Sequence, residues 1–219
     1  MKPHPIAPAV AAALVLNLWG ASPAMARVEE PPHVVLVREG AFEVRDYAPQ
    51  VVAETRVPEG RGDPANAGFR PLADYIFGAN APKARIAMTA PVTTRAAGQA
   101  TGGRGGEKIA MTAPVTTRSG GDGHVVAFIM PAAARLATMP APTDPAVRLR
   151  EEPARRFAVT RFGGFTGAAT VAARTRDLRG FIARRGLVPT GAPPILARYD
   201  PPWTLPPLRR NEVWIEVFK

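Results

Sequence analysis

The chain has 219 residues, 46% hydrophobic and 21% charged, with 28 lysines and arginines against 18 acidic residues and a net charge of +10. This length can bury the core of one ordinary domain, and this composition excludes a disordered chain. With no cysteine, disulfides, thiolate metal sites and covalent c-type haem attachment are all excluded.

Lys2 is followed by an apolar run from Ala9 to Trp19 and then by Ala24-Met25-Ala26. A charged start, a short hydrophobic stretch and an A-x-A site are the form of a secretory signal. Cleavage is expected after Ala26, giving residues 1–26 as signal peptide and 27–219 as one exported domain, expected in the periplasm. The alternative is an uncleaved anchor, but the run is shorter than the ~20 residues that span a bilayer, so no stable membrane insertion is expected after cleavage. The remaining 27 basic against 18 acidic residues leave +9. A basic surface can draw nucleic acid, anionic lipid or an acidic small ligand. Export and the lack of a binding signature argue against nucleic acid.

After a proline-rich lead, residues 33–57 alternate as strands, with turns expected at Glu39-Gly40 and Ala48-Pro49. Phe69, Leu72, Ala73, Ile76 and Phe77 share one helical face, so a helix is expected over Phe69 to Gly78 with Asn66 as its cap. The segment IAMTAPVTTR then begins at Ile86 and returns unchanged at Ile109. Both copies are expected to be strands joined by a glycine-rich hairpin loop, ahead of the buried strand VVAFIMP. From Val147 the pattern restarts: residues 147–162 laid on 42–57 place Arg45 on Arg150, Asp46 on Glu151 and Arg56 on Arg161. A second helix is expected from Thr166 to Arg185, capped by Thr166 and stopped by Gly186, followed by strands PILARYD and NEVWIEVF. The plan is hairpin, helix, hairpin, performed twice, with halves of about 34–131 and 147–218. The fold class is α+β: two tandem β-α-β-β repeats forming a distorted antiparallel β-barrel or curved sheet flanked by two helices.

Chemistry is sparse. His33 and His124 have no second ligand at metal spacing and read as surface residues. The stretch RFGGFTG lacks a phosphate-loop spacing and reads as a strand-to-helix turn. No nucleophile–base constellation is visible, so no enzyme activity is expected. Met88 and Met111, one in each copy, are polarizable apolar groups suited to core filling or to a flat ligand. Tyr199, Trp203, Arg209 and Arg210 put aromatic surface near two guanidinium groups, a pairing able to hold a planar body and its carboxylates.

FEVRDYAP, KIAMTAPVTT with its following strand, FGG before the second helix, and ARYDPPW with RRNEVW occur in that order. Together, over about Val34 to Val217, they resemble the SOUL haem-binding family. The resemblance implies reversible, non-covalent binding of haem or another tetrapyrrole in a hydrophobic cleft, as a carrier or buffer, by a monomer. It implies Phe69, Leu72, Ile76, Met88 and Met111 as apolar lining, Lys83 or Arg85 as basic rim, and Tyr199, Trp203, Arg209 and Arg210 closing the cleft. An axial iron ligand stays unassigned, and no metal cluster is expected. The alternative is a stand-alone sensing module for another flat amphipathic molecule, similar to regulator effector-binding domains. The doubled MTAPV segment departs from the family's single copy.

Overall fold

A computed structural model describes residues 28–81, 106–201 and 203–219. The expected signal segment and the first copy of the repeated decapeptide lie outside them. Eleven described strands form two sheets: β1 (His33–Glu39), β2 (Phe42–Tyr47), β3 (Gln50–Pro58), β4 (Asn80–Ala81), β5 (Val115–Ser119), β6 (Gly123–Ile129), β7 (Ala141–Pro142), β8 (Val147–Glu152), β9 (Arg155–Phe162), β10 (Ile195–Arg198) and β11 (Asn211–Val217). Two helices, α1 (Pro64–Ile76) and α2 (Ala168–Arg184), follow β3 and β9. Nine strands make one antiparallel sheet, curled into a half-barrel, in the order β1-β2-β9-β11-β10-β5-β6-β3-β8. Strands β4 and β7 form a separate two-stranded ribbon.

The expected duplication sets this order. Laying β8 on β2 and β9 on β3 makes the order palindromic about the β10–β5 pair once β1 is set aside. The Ala48-Pro49 turn, however, does not close a hairpin. Strand β2 pairs with β9, from Phe42 opposite Thr160 to Tyr47 opposite Arg155. Strand β3 then pairs with β8 in the same unbroken register, from Gln50 opposite Glu152 to Thr55 opposite Val147. Proline has no N–H to give a ladder, so Pro49 between β2 and β3 and Pro153 between β8 and β9 bend two long strands instead of folding each back on itself. Each half therefore lends strands to the other.

Helix α1 starts earlier than its apolar face suggests. Asp63 is the cap, its Oδ1 accepting from the Ala65 N–H at 3.0 Å, and Pro64 opens the first turn. Pro71 therefore sits in the helix interior, not its first turn. Helix α2 has Gly167, not Thr166, as cap and makes no side-chain capping bond; it ends ahead of Gly186, whose φ is 64°. The second decapeptide copy is strand from Val115 onward, while residues 109–114 are irregular. There the Ile109 N–H donates to Ile76 O, the Ala113 N–H donates to Glu29 O, and the Thr112 hydroxyl donates to Ile129 O. The copy's first six residues thus bond to α1, β6 and the N-terminal segment instead of a neighbouring strand.

Both helices cover one face of the sheet. Leu72, Tyr75 and Ile76 pack on Val51, Ala53, Val126 and Phe128, and Leu178, Phe181 and Ile182 pack on Val44, Ala158, Val213 and Ile215. Alternate residues point to the helix-free face, where Val52, Ile129, Phe157, Val159, Ala197 and Trp214 make a third core. Contact between α1 and the sheet is close enough to require a glycine. A Cβ on Gly68 would lie 2.6 Å from both Cβ and Cγ2 of the wholly buried Val126. Gly68→Ala is therefore expected to lower stability by about 1–3 kcal/mol in urea unfolding, against a helix-propensity gain of at most ~1 kcal/mol. A stabilised variant would show that the helix can stand off the sheet.

Candidate functional site

Alternation along β11 places Val213, Ile215 and Val217 under α2 and sends Glu212 and Trp214 to the helix-free face. Glu212 is wholly buried, which is tolerable for a carboxylate only when it is paired and hydrogen-bonded. Its Oε2 accepts from Arg45 Nη1 at 2.9 Å, the Tyr199 hydroxyl at 2.7 Å and Trp214 Nε1 at 2.8 Å. Its Oε1 accepts from Arg45 Nη2 at 3.2 Å and Arg210 Nη2 at 2.9 Å. Arg45 also donates to Glu43 and to the Tyr47 hydroxyl, and Arg210 to Glu30 at 2.7 Å. The Arg210 guanidinium stacks 3.8 Å from the centre of the Tyr199 ring.

Burial alone would push the Glu212 pKa up. The bonds and charge of Arg45, the charge of Arg210 and the Tyr199 bond outweigh it and hold the carboxyl below its ordinary 4.5. Burial likewise opposes the Arg45 charge, but Glu212 and Tyr47 more than restore it. Burial raises both Tyr47 and Tyr199, so their hydroxyls keep their protons. Glu212 is thus an acceptor whose lone pairs are already taken by protein donors. It is a structural anchor for the site around it, not a free carboxylate.

The duplication shows how this anchor arose in one half. Arg161 lies opposite Glu212 in the β9–β11 ladder, and its counterpart Arg56 lies opposite Val125 in the β3–β6 ladder. Arg150, the counterpart of Arg45, is paired instead with Glu54 at 3.0 Å and with Glu152. Beside Arg150 and Glu152, the space over the apolar floor of Val52, Ile129, Phe157 and Trp214 is about 20 Å³, room for one water.

The substantial opening lies beside the Glu212 cluster, toward β1 and the N-terminal segment. It holds about 450 Å³ and is lined by four arginines (Arg38, Arg45, Arg161, Arg210), three glutamates (Glu29, Glu30, Glu43), His33 and Val28. Arg38, Arg45 and Arg210 each have a carboxylate partner. Arg161 has none among the described residues. His33, expected as a surface residue, is half-buried and tilted against Tyr47 with ring centres 4.9 Å apart. Its Nδ1 lies 3.0 Å from Pro31 O. A carbonyl can only accept, so Nδ1 is the donor in this contact. The cavity can therefore offer guanidinium donors and one imidazole to an anionic ligand.

The residues expected at a cleft are dispersed. Lys83, Arg85 and Met88 lie outside the described residues. Leu72 and Ile76 are wholly buried in the helix–sheet core and offer no surface to a ligand. Phe69 is partly exposed, edge-on to Phe128, and Met111 is exposed on the irregular stretch before β5. Trp203 stands in solvent. Arg209 donates to Thr204 O and lies over the Phe165 ring, away from Arg210. Tyr199 and Arg210 meet, and of the expected residues that are described, Arg210 lines the cavity. Sequence reading missed His33, Arg38, Arg45, Arg161 and Glu212. The available signal was a glutamate that alternation along NEVWIEV puts on the same face as Trp214, opposite Val213, Ile215 and Val217. Among the described residues, no three His, Asp or Glu side chains gather to hold a metal ion, and no helix is long and apolar enough to cross a membrane.

The family model described as SOUL heme-binding protein matches residues 28–104 and 98–216. No curated protein matches the chain. Among solved structures, the chain is similar to the EcmrR C-terminal domain, with 13% identity, a TM-score of 0.54 and coverage of 81% of this chain and 97% of that one. It is also similar to a hydrolase from Listeria innocua, with 11% identity, a TM-score of 0.51 and coverage of 89% and 94%. At such identities both likenesses concern the fold alone.

Proposed function

The chain belongs to the SOUL heme-binding protein family, and from that premise we propose that it binds haem or a related tetrapyrrole reversibly, as a carrier or buffer after export. The observation that carries this reading is the arginine-lined cavity in a chain matched to the family across both halves. Arg161, exposed and without a carboxylate partner among the described residues, is the guanidinium most ready to receive a propionate; Arg38 is the second, held by one salt bridge to Glu43. Val28 is the cavity's one aliphatic wall, so these residues fit a tetrapyrrole's carboxylates better than its macrocycle. Bound haem would supply iron, and His33, whose Nδ1 is held by Pro31 O, would be the lining residue with a ring nitrogen left to hold it.

Hemin titration tests this. The chain should give a saturable Soret change at micromolar protein, and Arg38→Ala with Arg161→Ala should weaken the apparent affinity about tenfold or more, as expected when charge-assisted bonds are lost. His33→Ala should move the Soret maximum. No saturation in the parent chain would refute the haem reading. A stand-alone sensing module for another flat amphipathic ligand is the second reading, favoured by the fold shared with the EcmrR C-terminal domain. It would be supported if ligand extraction returned lipids or drugs and no porphyrin.

A further inference from the structure

Between β10 and β11 the chain runs through Pro201, Pro206 and Pro207 and turns its apolar side chains outward. Trp203 is 83% exposed, Leu205 66% and Leu208 71%, and Phe165 from the loop before α2 is 67% exposed. The two loops form one surface. The Gly164 N–H donates to Pro206 O at 2.9 Å, Asn211 Nδ2 donates to Gly164 O, and Arg209 spans from Thr204 O to the Phe165 ring. Thr204, Leu208 and Arg209 N–H groups bond back within the loop, so it is held as a shaped protrusion.

We propose that this Phe165–Trp203–Leu205–Leu208 protrusion docks the protein on the interface of an anionic lipid bilayer. Four apolar side chains standing singly from a protrusion, each about two-thirds or more exposed, leave no groove for a protein partner to complement. A bilayer interface is a soft medium that such groups enter one by one, and tryptophan favours that boundary. Charge selects the same occupant. Arg209 is part of the protrusion, and α2, which starts three residues after Phe165, carries Arg174, Arg176 and Arg179 against Asp177 on exposed positions. With a chain charge of +10, this surface is drawn to acidic headgroups. The docking is peripheral and does not depend on haem binding. It places a binding protein where apolar ligands partition.

The test uses the full chain carrying Trp19→Phe, which leaves exposed Trp203 and wholly core-packed Trp214 as the two fluorophores. Vesicles of phosphatidylcholine with phosphatidylglycerol should shift Trp203 emission to the blue, and brominated acyl chains should quench it. Phosphatidylcholine alone or high salt should weaken both effects. Leu205→Asp with Leu208→Asp should reduce vesicle partitioning about tenfold or more, while the thermal melt and hemin titration stay unchanged because neither residue touches the core or the cavity. No quenching would overturn the proposal. Quenching unchanged in the double variant would also overturn it, because the N-terminal apolar run would then carry the binding. A parent chain that sediments as a dimer, and a double variant that does not, would overturn it in favour of a second copy as the occupant.

Discussion

Glu212→Ala is expected to cost about 3–5 kcal/mol in urea unfolding, because it leaves the buried Arg45 guanidinium with a carboxylate removed and strands donors from Tyr199 and Trp214. Six donated bonds, two each from Arg45 and Arg210 and one each from Tyr199 and Trp214, end on this one side chain, so the loss exceeds that of any single salt bridge on the surface. The pH dependence follows from the sign of the shift. The folded-state pKa of Glu212 is depressed below 4.5, so its contribution is fully present above that value and is lost as pH falls through the folded pKa. Glu212→Gln should remove this acid-labile part and flatten the stability profile below about pH 4.5, while starting from a less stable protein at neutral pH. Replacing the pair together, with Glu212→Leu and Arg45→Met, should recover only the part owed to the unpaired Arg45 charge, since Tyr199 and Trp214 would still lack their acceptor. A Glu212→Ala variant within 1 kcal/mol of the parent would mean that the network contributes little and the strands hold without it.

Phe181→Ala should be as costly, at about 3–5 kcal/mol. Phe181 is wholly buried beneath α2 and stacked on Phe42 with ring centres 5.1 Å apart and planes 7° from parallel. Helix α2 has no side-chain cap and no acidic residue in its first turn, so local signals contribute little to it. A helix so placed depends on its buried face, and that face is chiefly Leu178, Phe181 and Ile182. Helix α1, by contrast, has a capping aspartate and buries six residues. Far-ultraviolet circular dichroism during urea unfolding should therefore show that Phe181→Ala lowers the midpoint, with loss of helix signal ahead of the sheet. A midpoint unchanged from the parent would place the anchoring of α2 elsewhere.

Legibility in the sequence followed the range of the interaction. Elements set by local periodicity were readable: both helices, VVAFIMP, NEVWIEVF and the internal duplication all appear as strands, helices and a palindromic sheet. The exchange of β2–β3 with β8–β9 was not readable, since Ala48-Pro49 serves a hairpin turn or a bend equally well until the partner strand is known. The first six residues of the second IAMTAPVTTR copy misled for a related reason. Their alternation suits a strand, yet Glu29 and Ile76, distant in sequence, take their hydrogen bonds. The site was the least legible part. Arg45 could be seen to recur as Arg150, but its partner is Glu212 in one half and Glu54 does that work for Arg150 in the other. Only the fold reveals which carboxylate each meets. Tyr199 and Arg210 were found because stacking joined residues close in sequence, whereas His33 and Arg38 of β1 meet Arg161 of β9, more than 100 positions along the chain, only in the fold.

The unbroken register of β2–β3 against β8–β9 also says how the molecule must assemble. The β2–β9 and β3–β8 ladders both cross between the halves, so half a chain would be left with these two ladders unsatisfied. Two identical halves could satisfy each other by exchanging them, which is the geometry of a homodimer. The present chain is in effect that dimer tethered end to end, with residues 131–146 as the connection that keeps one half at high effective concentration for the other. Fusion freed the two copies of each position to differ. Glu212 against Val125 is such a difference: a site built once, on one side of a sheet whose strands otherwise come in matched pairs.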